Sequence, residues 1–467
     1  MSSSQTPPWP GKTPGKTPDK VRPFRRRGSL VAGVVLSLIA GAVAVGFAIS
    51  DDGPFKDAFG DDGPGQPGVV EQGGVARGGV AGQEDTVADL LARRASALIA
   101  KNRSEFLATV DPQDTALRQD QARWFDNLTE VPFSAWAYRM APREDARLPA
   151  PAVAEAATAG LDSFGSFVDV RLRITGYDNA DATHEEVYVF TPRAGRWYVS
   201  GRWVAPGRGN QQLWDVGRVN ALRSDHALVL GLPDDAELGP IADEVDASVL
   251  RVDEVWGKAW PRKVLVLVTR TEDEMADLLG GKASAYAQLA AITRGELGVA
   301  EETAAAERVV INPRAYADLS EVGKRVIMTH EVTHVALRSA TQEWTPMWLA
   351  EGFADYIGYQ GSGLAVGFIA QELVEDLRSG MEITALPSDA DFKTTNARLP
   401  QAYEMAWLAC SMIAEEHGEA KLLAFVRQAG TPGGSAVSVD LAFASVLGTT
   451  LAQFTADWIE YLDETLS

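Results

Sequence analysis

Spacing of apolar positions divides the chain into stretches of different character. Val87, Leu90, Leu91, Ala95, Leu98 and Ile99 recur at three- and four-residue intervals, predicting an amphipathic helix that runs to about Lys101. A second helix is predicted around Ala116–Leu128. The period then changes. Val168, Val170, Leu172 and Ile174 alternate with Asp169, Arg171 and Arg173, as in a half-buried strand. Glu186–Thr191 and Arg196–Val204 repeat that pattern across the turn Pro192-Arg193-Ala194-Gly195, which predicts a hairpin. Beyond the breaker cluster Pro206-Gly207-Arg208-Gly209, His226–Leu232 and Lys263–Thr269 read as strands and Leu238–Val255 as a helix. Arg308–Asn312 is a further short strand, ended by Pro313. From Asp318 onward nearly everything reads as helix and turn. The expected class is α+β.

The N-terminal part has another pattern. Residues 1–28 carry seven basic side chains against Asp19 alone, and Leu30–Ile49 is uninterrupted by charge. That stretch is long enough to cross the hydrocarbon core as a helix, and the arginines before it place the N-terminus in the cytoplasm. An uncleaved single-pass anchor is the preferred reading over a cleavable signal peptide, whose apolar core would be shorter. Residues 51–83, rich in Gly, Pro and Asp, read as a tether. The organisation expected is therefore a basic tail at 1–28, a transmembrane helix at 29–50, a linker at 51–83, an accessory domain at 84–207 and a second domain at 208–467. The folded part lies outside the cytoplasm on this reading, on a cell membrane.

Charge narrows the partners. From Asp51 onward, 36 basic residues face 63 acidic ones, a balance that argues against nucleic acid and anionic lipid surfaces. The single cysteine, Cys410, lies in an apolar helical stretch and reads as a small core residue, so no disulfide-linked partner is expected.

Against that background one cluster carries chemistry. The chain has five histidines, and two stand at His330-Glu331-Val332-Thr333-His334. Histidines four apart on a helix share a face and can reach one metal ion, with Glu331 beside the open position where water would sit. Asp318, with Glu321 three residues later, reads as the cap of this helix. A third ligand is needed, and the extended pattern with glycine and histidine at Leu337 and Ala340 is absent. The next helix, expected to start at Thr345-Pro346, carries Glu351 and Asp355 four apart. Glu351 can bind the metal, and Asp355 can accept the far ring proton of a liganding histidine. His184 and His417 are isolated and remain outside the cluster.

His330, Glu331, His334, Glu351 and Asp355 together resemble the pattern of the gluzincin metallopeptidases, and Trp348–Ala354 is similar to the second-ligand segment of their aminopeptidase-N-type branch. The resemblance covers about Glu321–Gly418. It implies a thermolysin-like, mainly helical catalytic domain with a small sheet, one Zn²⁺ per chain, a peptide or protein substrate, and Glu331 as general base. It also implies that Tyr403, in Tyr403-Glu404, donates to the tetrahedral oxyanion. The Gly-x-Met-Glu-Asn loop that grips a free N-terminus in that branch has no counterpart beyond a faint echo at Gly295-Glu296. The expectation leans to an endopeptidase, with a non-catalytic peptide-binding or sensor protein as the alternative. Because gluzincins place an edge strand just upstream of this helix, Val309, Val310 and Ile311 are the expected substrate-binding residues, by strand addition. The accessory domain is similar in pattern to cone-shaped NTF2-like or cystatin-like domains and is assigned no chemistry. A fragment starting near Arg208 is expected to bind zinc and cut a short peptide.

Overall fold

The computed structural model describes residues 86–467 apart from 143–146, 160, 161, 205–208, 233–237, 288, 295–306, 432 and 433. The basic tail, the apolar segment Leu30–Ile49, the linker, Gly295-Glu296 and the cluster Pro206-Gly207-Arg208 all lie outside the described residues. Among the described residues no single helix is long and apolar enough to cross a membrane.

The N-terminal unit begins with three helices, α1 (Val87–Ile99), α2 (Arg103–Leu107) and α3 (Thr115–Asn127). Thr86 and Asp89 form a reciprocal cap at the start of α1, and Asp114 accepts from the Leu117 N–H at α3. Four strands follow as an antiparallel meander, β1 (Phe133–Met140), β2 (Phe164–Ile174), β3 (Ala182–Arg193) and β4 (Arg196–Trp203), with a short helix α4 (Ala150–Ala159) between the first two strands. Ala194 and Gly195 both have positive φ, the two-residue turn that matches hairpin twist. The alternation seen along β3 separates two faces. Tyr188 and Phe190 pack with Leu90, Leu91 and Val168, whereas Val187 and Val189 pack with Ala152 of α4.

Four-residue helix α5 (Leu213–Val216) leads into a second sheet of five strands: β5 (Asn220–Arg223), β6 (Ala227–Gly231), β7 (Val264–Val268), β8 (Ala291–Arg294) and β9 (Arg308–Ile311). Their order is β5-β6-β7-β9-β8, with β6, β7 and β9 parallel and both outer strands antiparallel. Helix α6 (Leu238–Trp256) makes the crossover from β6 to β7, and α7 (Glu272–Leu279) follows β7. β6 is buried along its whole length, which is why its sequence is a continuous apolar run. Val229, Val266, Val309 and Ile311 face α6 and the helices beyond. Leu228, Leu230 and Leu265 face the other way, into a cluster with Trp214, Trp136, Leu172 and Ile174 of the first unit.

The remaining chain is helical: α8 (Pro313–Ala317), α9 (Glu321–Leu337), α10 (Met347–Tyr359), α11 (Val366–Ile369), α12 (Gln371–Arg378), α13 (Leu399–His417), α14 (Glu419–Ala429), α15 (Val437–Ala442) and α16 (Leu451–Leu466). Two helix starts differ from the sequence reading. Ser320, not Asp318, caps α9 by accepting from the Gly323 N–H, while Asp318 closes α8. At α10 the Thr345 hydroxyl turns back to the Gln342 N–H, and the Met347 N–H is taken by Asp389 from a distant loop. Local sequence rules see only local caps. Cys410 is buried in α13, as a small core residue would be.

Candidate metal centre

Helices α9, α10 and α13 form the site. His330, Glu331 and His334 point from one buried stretch of α9, Glu351 and Asp355 from one face of α10, and Tyr403 from the first turns of α13. All six side chains are buried. Two glycines on α10 allow the close packing. A methyl group on Gly352 would overlap the carbonyl of Ala406 in α13, and one on Gly358 would meet the Val326 carbonyl of α9 at 3.0 Å.

Nε2 of His330 and Nε2 of His334 lie 3.0 Å apart, and each is 3.3 Å from Oε2 of Glu351. A tetrahedral zinc with bonds of 2.0–2.1 Å has ligand–ligand edges of about 3.3 Å, so the triangle has the size of one face of that tetrahedron. Nδ1 of His330 contacts Oδ1 of Asp355 at 2.7 Å. In the neutral, metal-binding form of the ring that contact places the proton on Nδ1 and turns the Nε2 lone pair to the triangle. Among the described residues, the groups that meet the buried Glu351 oxygens are the two imidazoles and the Tyr403 hydroxyl. A dication would satisfy those oxygens. His330, His334 and Glu351 are the group among the described residues that could hold a metal ion.

The electrostatics point the same way. Burial disfavours a charged His330, yet Asp355 and Glu351 beside it push its pKa up to about 10. Glu351 is held below its ordinary value: burial opposes this, but His334 and His330 prevail. The centre therefore attracts positive charge. Glu331 is raised, chiefly by burial, against the pull of both histidines. Burial, then Glu351, Asp355 and Glu331, drive Tyr403 well above the usual tyrosine range, so its hydroxyl stays protonated and able to donate. The Tyr403 ring lies edge-on to Phe392 with centroids 5.3 Å apart, and 6.4 Å from the ring of His330.

The expected substrate strand is corrected. Val309, Val310 and Ile311 belong to β9, which pairs with β7 on one side and β8 on the other and is buried. Its main-chain groups are already used. Among the described residues the edge beside β9 is β8, a four-residue strand that no pattern in the sequence marked out, and β5 is the opposite edge. Asn312 hydrogen-bonds to the Ala290 carbonyl, and the alternation of an antiparallel pair then turns the main-chain groups of Ala291 and Thr293 away from β9. Thr293 also reaches the centre itself. Its Oγ1 donates to Oε2 of Glu331 at 2.6 Å, a contact that sequence spacing could not reveal. His184 pairs with Glu186 inside the first unit, and His417 ends α13, both away from the centre.

No protein-family model matches the chain, and no curated protein matches it. Solved structures do. A mutant M1 zinc metallopeptidase from Deinococcus radiodurans bound to a Tyr-Ser-Ala substrate is 15% identical over 58% of this chain and 58% of that one, with a TM-score of 0.32. A second structure of that mutant is 14% identical over 64% and 61% of the two chains, also with a TM-score of 0.32. The chain spans less than two thirds of the length of either. Independently of that overlap, the His-Glu-x-x-His…Glu ligand set of the gluzincin pattern is assembled here in three dimensions.

Proposed function

We propose that the chain is a zinc-dependent peptidase of the gluzincin type. The observation that carries this is the buried triangle of His330, His334 and Glu351 with Glu331 and Tyr403 at its margin. Zinc held by these three ligands would supply a Lewis acid and lower the pKa of a water to about 7. Among the described residues, Glu331 keeps one carboxylate oxygen, Oε1, without a hydrogen-bond partner. That oxygen takes the proton of the attacking water and delivers it to the leaving nitrogen. Tyr403, kept protonated by its surroundings, donates to the oxygen that becomes negatively charged. Asp355 holds His330 in the liganding tautomer.

The substrate is an extended peptide, added as a strand at β8 through the main chain of Ala291 and Thr293. Cleavage within chains is preferred to removal of N-terminal residues, because the sequence has no Gly-x-Met-Glu-Asn segment to hold a terminal amine. Anchoring through Leu30–Ile49, with the centre outside the cytoplasm, completes the proposal and rests on apolar length and flanking charge alone.

The test is metal analysis and peptide cleavage by the wild type and Glu331→Gln. Both should hold about one zinc, a stoichiometry set by the single centre. The variant should lose cleavage by about 10²–10⁴-fold. Zinc bound without chelator-sensitive cleavage of any member of a broad peptide library would favour a peptide-binding protein instead. Products shortened only from the N-terminus would indicate an aminopeptidase.

A further inference from the structure

Thr293 stands where two requirements of the reaction meet. On β8 it is opposite Val309, one strand out from the buried centre of the sheet, with its main-chain groups turned to the free edge. Its side chain points the other way, under α9. The Oγ1 proton has two acceptors within reach, Oε2 of Glu331 at 2.6 Å and the Glu331 main-chain carbonyl at 3.3 Å, and the shorter contact takes it. Thr293 is itself buried, so water does not compete for that bond. With Oε2 held, Oε1 is the carboxylate oxygen of Glu331 that has no hydrogen-bond partner among the described residues.

We propose that Thr293 is a positioning residue that ties substrate pairing to the general base. Its backbone receives the extended peptide, and its hydroxyl fixes the rotamer in which Glu331 presents one oxygen to the reacting water. This rests on the peptidase reading. A hydrogen bond to a charged group is worth enough that losing it costs the ordered rotamer, and a base displaced from its proton loses rate rather than binding.

The experiment pairs crystallography with kinetics on the full-length chain. Metal-free crystals of wild type, Thr293→Val and Thr293→Ser report the Glu331 rotamer whatever the activity. Valine keeps the β-branched strand shape and removes the hydroxyl, and serine keeps the hydroxyl. In Thr293→Val the Glu331 carboxylate should leave its wild-type position, and in Thr293→Ser it should stay. With zinc restored, Thr293→Val should lose about 10–100-fold in kcat with KM within about twofold. Thr293→Ser should remain within about threefold of wild type in both. Should the valine variant not fold, Thr293→Ala removes the same hydroxyl. A Glu331 carboxylate unmoved once the hydroxyl is gone, or a fall confined to KM, overturns the proposal. Wild type that binds zinc and cuts nothing overturns the peptidase reading instead, while the metal-free rotamer still decides the role of Thr293.

Discussion

Glu404 follows Tyr403 on α13 and caps another helix from a buried position that disfavours its charge. Its carboxyl accepts the N–H of Leu373 at 2.7 Å and of Glu372 at 3.3 Å, closing the open first turn of α12. Burial, then the Glu372 carboxyl packed against it, push its pKa up to about 10, so in the folded protein it is the neutral acid near pH 7. The unfolded chain ionises it near 4.5. A folded pKa raised above the unfolded one gives stability that is complete below about pH 4.5 and is lost as pH rises toward 10. Glu404→Gln mimics the neutral acid at every pH and keeps one oxygen for the Leu373 N–H. Its stability should therefore fall less steeply than that of wild type between pH 5 and 9, by up to about 1.4 kcal/mol per pH unit. Urea unfolding across that range at fixed metal loading measures the slope. Parallel curves would show that Glu404 is ionised in the folded protein.

Among the elements, α10 is the one whose placement the site depends on most. It carries Glu351 and Asp355 on one face and lies against both α9 and α13, so the depth of its packing sets how far Glu351 stands from the two histidines. Gly352 is the contact with α13, where a methyl group would run into the Ala406 carbonyl and sit 3.0 Å from Cys410 Sγ. A backbone carbonyl in a helix cannot swing aside, so the helices must separate. Gly352→Ala should destabilise the protein by about 1–3 kcal/mol and weaken zinc binding, because the residue before it is the third ligand. Gly358→Ala meets its nearest neighbour at 3.0 Å and should cost less on both counts. Chemical denaturation and competition for zinc against a chelator give the two readouts. Equal zinc affinity in Gly352→Ala and wild type would mean that α10 yields without moving Glu351.

For the molecule as a whole, the N-terminal unit forms part of the packing behind the five-stranded sheet. Leu228, Leu230 and Leu265 leave the second sheet on the side away from the metal ligands and meet Trp214, Trp136, Leu172 and Ile174. Polar contacts join the same halves. Arg308 of β9 makes two hydrogen bonds to the Asp178 carboxylate, at 2.8 and 2.9 Å, and Asp215 accepts from both Trp124 and Arg202. Cutting the chain at residue 209 would expose three core leucines on a sheet whose other face holds the site, and would take the Asp178 carboxylate away from Arg308. This revises the expectation of an independent fragment. Residues 209–467 alone should unfold without a cooperative transition and bind hydrophobic dye, whereas 86–467 should show one sharp transition. Calorimetry and dye fluorescence decide it. A cooperatively folded, zinc-loaded, active 209–467 fragment would show that the contact between the halves is dispensable.

The amino-acid sequence by itself determined the features that depend on neighbours in the chain. His330 and His334 share a helix face because of their spacing, Glu351 and Asp355 do so for the same reason, and the alternation in β2 reports one fully buried face. The main helices and strands lie within a few residues of where periodicity put them, as at α1, α6 and β7. Only the tertiary structure decided the rest. Strand order is one instance: β9 was legible as a strand, but that it is covered on both sides depends on β8, a four-residue element arriving antiparallel from outside. The continuous apolar runs of β6 and β7 told that both faces are buried and could not tell what buries them. The Asp389 cap on α10 and the Thr293 hydroxyl on Glu331 join residues 42 and 38 positions apart. Such contacts leave no period in the sequence, because a hydrogen bond needs only that two atoms meet, and the fold alone brings them together.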